Sequence, residues 1–138
     1  MKSESNPALH IALLSDLYSA YRQILRENTR LGLIQTRLQV CDRISRLSAP
    51  RFYVSPLYAK RIINSMSNGT PRASRQRLRL HREIYQRWLS LPESQRTDSA
   101  LSDILTQPAP SYYLGVEHIS RLLYKACKLC QRETHRPS

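Results

Sequence analysis

Apolar residues recur at three- and four-residue steps along most of the chain, the spacing that gathers side chains onto one face of an α-helix. Leu13, Leu14, Leu17, Tyr18, Tyr21, Ile24 and Leu25 follow this rhythm between Leu9 and Leu25 and predict a first helix. After a break near Asn28 to Gly32, the series Leu31, Ile34, Leu38, Cys41, Ile44 and Leu47 predicts a second amphipathic helix with those residues on one face. It must stop before Pro50, because proline drives its predecessor out of the helical region. Ser55 followed by Pro56 supplies a hydroxyl cap and a proline at the first helical position, so a third helix is expected from about Pro56 to Met66.

Residues 65–76 are poor in apolar groups and contain Asn68, Gly69 and Pro71, which read as a linker or exposed loop. Leu80, Ile84, Tyr85, Trp88 and Leu89 then mark a fourth helix that ends near Pro92. A short fifth helix is expected from Thr97 or Asp98 to Thr106. A sixth runs from about Val116 to Leu129, with Val116, Ile119, Leu122, Leu123 and Ala126 inward. Only three glycines and no sustained β-branched alternation argue against a sheet protein. The expected fold is all-α, a compact six-helix domain.

The order of these pieces repeats. Ala49-Pro50-Arg51-Phe52-Tyr53-Val54-Ser55 is matched by Ala109-Pro110-Ser111-Tyr112-Tyr113-Leu114-Gly115, and Arg61-Ile62-Ile63 falls on Arg121-Leu122-Leu123. Upstream, Tyr21-Arg22-Gln23-Ile24-Leu25 resembles Tyr85-Gln86-Arg87-Trp88-Leu89. Two copies of a helix–helix–extended segment–helix unit are therefore expected. The first repeat spans 1–66, a basic linker or helix extension 67–77, the second repeat 78–129, and a flexible tail 130–138. Adjacent aromatics in an extended segment point to opposite sides, so Phe52 and Tyr112 are expected to pack inward. Phe52-Tyr53-Val54 and Tyr112-Tyr113-Leu114 could pair as one very short antiparallel ribbon.

Charge narrows the class of partner. The 138 residues carry 22 Lys+Arg against 10 Asp+Glu, a formal net charge of +12, while 41% apolar residues distinguish the chain from a disordered polycation. Residues 49–90 hold nine basic side chains and one acidic. Within them Arg72, Arg75, Arg77, Arg79 and Arg82 crowd together. Steps of three and four place Arg72, Arg75, Arg79 and Arg82 on one side of a helix, opposite Leu80, Ile84 and Trp88. Such a ridge suits a polyanion, with binding driven by counterion release, and the preference for arginine over lysine suits phosphate and guanine edges.

The expected function is a small basic nucleic-acid-binding protein, DNA more than RNA, that contacts mainly the phosphate backbone. Arg51, Lys60 and Arg61 would extend the footprint, and any sequence preference would come from the helix after Ser55 in a loose helix-turn-helix outline. The alternative is a helical adaptor that docks an acidic protein or self-associates as a homodimer. Three cysteines and no bilayer-length apolar run point to a cytoplasmic protein outside the membrane. Cys127, Cys130 and His135 form half a zinc-type spacing that Cys41 would have to complete, so no metal or other cofactor is expected. The histidines stand apart from any nucleophile or carboxylate at triad spacing, and no catalytic role is assigned.

Overall fold

The computed structural model describes residues 6–69 and 73–134, with side chains through 129. Among the described residues there are six α-helices: α1 (Pro7–Leu31), α2 (Arg37–Ser45), α3 (Pro56–Ser67), α4 (Arg75–Leu89), α5 (Asp98–Leu105) and α6 (Val116–Thr134). A single 3-10 turn, Glu93–Gln95, joins α4 to α5. The protein is mostly helical, and no described helix is long and apolar enough to cross a membrane.

Local chemistry sets the helix ends. Ser55 Oγ accepts from the Tyr58 amide with Pro56 in the first turn of α3, as its sequence predicts. Thr97 caps α5 in the same way through the Ala100 amide. α1 runs past the expected break to Leu31, where Gly32 takes a left-handed φ of +69° and the Leu33 amide closes back onto the Asn28 carbonyl at 2.8 Å. α6 likewise continues to Thr134, into the stretch expected as a tail.

The second helix departs most from its apolar rhythm. A capping box starts α2 at Thr36, whose hydroxyl accepts from the Gln39 amide while the Gln39 side chain accepts from the Thr36 amide. Leu31 and Ile34 therefore precede α2 instead of lining its inner face, and Leu31, Ile34 and Leu38 are 56%, 98% and 53% exposed. Polar groups around the buried Asn28 hold the turn: Asn28 Nδ2 donates to Gln35 Oε1 at 3.0 Å, and Arg43 Nη1 donates to Asn28 Oδ1 at 2.7 Å and to Gln35 Oε1 at 2.9 Å.

The chain divides into two compact units. The first comprises the chain up to Leu9 together with Ser48–Tyr113; the second comprises His10–Leu47 and the chain from Leu114. In the first, α3 packs on α4 and α5, and α4 on α5. Its buried residues include Phe52, Ala59, Ile62, Ile84, Leu101, Ile104 and Leu105. In the second, α2 packs on α6, and the buried residues include Leu17, Val40, Cys41, Ile44, Ile119 and Leu123. Arg37 of α2 reaches α6, donating through Nη2 to the Ser120 carbonyl at 2.9 Å.

The backbones of the two Ala-Pro segments pair at their alanines. Ala49 and Ala109 exchange reciprocal backbone hydrogen bonds of 2.9 Å in one antiparallel bridge. The ribbon expected between the residues around Phe52 and Tyr112 is replaced by this bridge, because the Phe52 amide bonds to the Leu105 carbonyl at 3.0 Å instead. Phe52 and Tyr112 are buried as expected, and the Tyr53 and Tyr112 rings stack at 6.0 Å.

Candidate nucleic-acid interface

α4 offers the chain's clearest concentration of guanidinium groups. Its buried face carries His81 and Ile84. With about 100° between successive residues, Arg75, Arg79, Arg82 and Gln86 fall on the opposite side, and all four are exposed. Among the described residues, Arg75, Arg79 and Arg82 enter no ion pair and no side-chain hydrogen bond. The helix starts at Arg75 because Ser74 caps it, its hydroxyl accepting from the Arg77 amide at 3.4 Å. Arg72 lies outside the described residues.

Most of the other described basic residues of the first unit have partners within it. Arg77 sits on the α3-facing side of α4, where its Nη1 donates to the Tyr58 hydroxyl at 2.8 Å. Arg87 pairs with Glu83 at 2.8 Å and lies 4.9 Å over the Phe52 ring. Arg96 donates to the Leu89 and Leu91 carbonyls beyond the end of α4. Arg51 is half-buried beside an open cleft of about 250 Å³, with its Nε donating to the Phe52 carbonyl at 3.0 Å. Lys60 pairs with Asp98 at 3.0 Å, an exposed contact worth little in stability. Arg61 is exposed on α3 and takes part in a further interaction. The described residues of the expected site thus share the first unit, and among them Arg75, Arg79 and Arg82 form the open ridge.

Two titratable groups of the first unit have shifted pKa values, one of them on the buried face of α4. His81 is 8% exposed, its Nε2 has no hydrogen-bond partner among the described residues, and its ring meets Tyr58 edge-on at 6.1 Å. Burial, with the Arg77 charge adding to it, holds the imidazole pKa below its ordinary value. Tyr113 has a left-handed φ of 56°, a conformation that costs a non-glycine residue about 1–2 kcal/mol. Burial raises the pKa of its phenol and the Glu83 charge adds to the rise, while Arg79 and Arg87 pull it down. That strained tyrosine therefore feels the charges of one side of α4.

Two further basic stripes lie in the second unit, and sequence reasoning missed the one on α1. Arg22, Arg26 and Arg30 are exposed on α1, and Arg121, Lys125 and Lys128 are exposed on α6. Averaging charge over long blocks hid the α1 stripe among nearby carboxylates; its i, i+4 spacing was the signal that could have found it. Counted by unit, each half of the molecule holds eleven basic and five acidic side chains. The middle-third excess is thus a property of the linear chain and not of its folded units. Cys41 is buried, which pushes its thiol pKa up, while Cys127 is half-buried. The Cys130 side chain and His135 lie outside the described residues, so the suggested metal-type spacing does too. No family model, curated protein or solved structure matches the chain.

Proposed function

We propose that the protein binds nucleic acid, DNA in preference to RNA, through the outer face of α4. The observation that carries this reading is the set Arg75, Arg79 and Arg82, exposed and without ion pairs among the described residues, on a helix whose opposite face is buried. Three guanidinium groups along about 10 Å of helix axis repel one another in water and gain from phosphate neutralisation. Gln86 continues the same face, and arginine and glutamine suit base edges in a groove wide enough for a helix. RNA duplexes present a deep, narrow major groove instead. Arg61 at the edge of α3 adds a backbone contact, and the helix after Ser55 supplies less of the footprint than α4.

The chain is further read as an internal duplication. α2 and α5 end sixty residues apart, as α3 and α6 begin, and the buried positions Cys41, Ile44, Phe52, Ala59 and Ile62 recur at Leu101, Ile104, Tyr112, Ile119 and Leu122. Each compact unit takes its third helix from the other copy: α3 joins α4 and α5, and α6 joins α1 and α2. This is the pattern of a fused pair with exchanged elements.

The test is fluorescence anisotropy of a labelled duplex against rising salt. Each phosphate contact contributes about 0.9 to the slope of log K on log salt. The triple variant R75A/R79A/R82A is expected to flatten that slope by about 2.7. An unaltered slope, or a wild-type protein with no affinity for duplex or single strands, overturns the proposal. A second reading, docking of a protein partner, draws on the exposed Leu31, Leu33, Ile34 and Leu38. It predicts that R75A/R79A/R82A leaves partner affinity intact while I34D removes it.

A further inference from the structure

Equal charge on the two compact units has a consequence for stoichiometry. A single nucleic-acid site on α4 leaves the excess of the second unit without a role, although that unit carries as many basic and acidic residues as the first. Its basic side chains are also arranged, not scattered. Arg22, Arg26 and Arg30 follow i, i+4, i+8 along α1, and Arg121, Lys125 and Lys128 repeat on α6 the i, i+4, i+7 spacing of Arg75, Arg79 and Arg82.

All six side chains are exposed. Among the described residues none enters an ion pair. Two of the unit's acids are held by other cations, Glu27 lying 3.8 Å from Arg43 and Asp42 pairing with Arg46 at 3.2 Å, while Glu117, exposed one turn before Arg121, forms no salt bridge with it among the described residues. Two of the six are steadied by aromatic rings without losing charge. Arg22 lies 5.7 Å over Tyr18 and donates to its hydroxyl at 3.1 Å, and Lys128 lies 4.6 Å over Tyr124. An exposed cation resting on a ring is partly pre-positioned, so less side-chain freedom is lost when it meets a phosphate.

We infer that the second unit carries its own polyanion-binding surface, built from the α1 and α6 stripes, and that one chain holds two separate nucleic-acid segments. The inference rests on the α4 reading for its first site and adds a second, backbone-directed one. The lysines of the α6 stripe, point charges without the planar guanidinium fork, make the second surface a phosphate binder without base preference. The protein then acts as a bridge between two duplex segments.

The experiment mixes two 15-bp DNA duplexes, one labelled with a donor and one with an acceptor fluorophore, with wild-type protein at limiting concentration, and follows energy transfer alongside the sedimentation coefficient. Wild type is expected to saturate at two duplexes per chain and to give transfer that salt abolishes. R75A/R79A/R82A and the sextuple R22Q/R26Q/R30Q/R121Q/K125Q/K128Q are each expected to retain one duplex and lose transfer. Should the sextuple variant unfold, R22Q/R26Q/R30Q and R121Q/K125Q/K128Q are tested separately, each lowering transfer at least threefold. Saturation at one duplex, or transfer that survives both triples, overturns the second site. Saturation at one duplex with full dependence on Arg75, Arg79 and Arg82 leaves the α4 reading standing, whereas no duplex binding removes both.

Discussion

Asn28 is the buried polar residue on which the α1–α2 turn depends, and replacing it with alanine is the most informative test of the second unit. The side chain is 4% exposed, accepts from Arg43 at 2.7 Å and donates to Gln35 at 3.0 Å. A hydrogen bond to a charged group contributes about 1.5–3 kcal/mol and a neutral one about 0.5–1.5 kcal/mol. Some of this returns in the variant, because Arg43 keeps Gln35 at 2.9 Å and Glu27 at 3.8 Å and its side chain is 33% exposed. Asn28→Ala is therefore expected to lose about 2 kcal/mol, a shift of about 1 M in the urea midpoint for an m-value near 2 kcal/mol/M. Circular dichroism follows the helices of both units, while the single tryptophan, Trp88, reports on the first unit alone. A double-mutant cycle with Arg43→Ala should give a coupling of about 1–2 kcal/mol. Asn28→Asp keeps the acceptor and should fall within about 1 kcal/mol of wild type at neutral pH. A midpoint for Asn28→Ala within 0.2 M of wild type would refute the claim that this network fixes the turn.

Two further outcomes follow from backbone and titration. Gly32→Ala meets no atom within 4 Å, so its cost is the left-handed φ alone, about 1–2 kcal/mol by chemical denaturation; a neutral result would mean that the turn relaxes. His81 is held neutral by burial, so its folded pKa lies below its unfolded value of about 6.5. The contribution to stability is full above that unfolded value and is lost as pH falls from there toward the folded pKa, because the unfolded chain takes up the proton first. His81→Leu should flatten that part of the stability–pH curve, and an undiminished acid-side fall would assign it to other groups.

Helix number and order were readable because apolar periodicity, Ser55-Pro56 and the Thr97 cap are local signals, and the fold uses them. The second helix was misread for an equally physical reason. Leu31, Ile34 and Leu38 continue the apolar rhythm, but the Thr36–Gln39 capping box and the network of Asn28, Gln35 and Arg43 settle where the helix begins. Those polar contacts join residues up to fifteen apart, and spacing alone does not announce them. The Ala49–Ala109 bridge was half legible: the repeat identified both partners, whereas the pairing point depended on the Phe52 amide bonding to Leu105.

The candidate site divides along the same line. Arg77 and Arg79 are two positions apart on one helix and count equally in any tally of charge, yet about 200° of helical rotation separates them. Arg77 is turned toward α3, where it donates to Tyr58 beside the buried His81; Arg79 points to solvent with Arg75 and Arg82. Removing Arg77 would therefore weaken the α3–α4 contact before it weakened binding to any polyanion. Removing Arg79 would do the reverse. A charge-dense segment is thus divided by helical phase into cations that hold the fold together and cations left for a partner, and only the second group can carry a salt-dependent affinity.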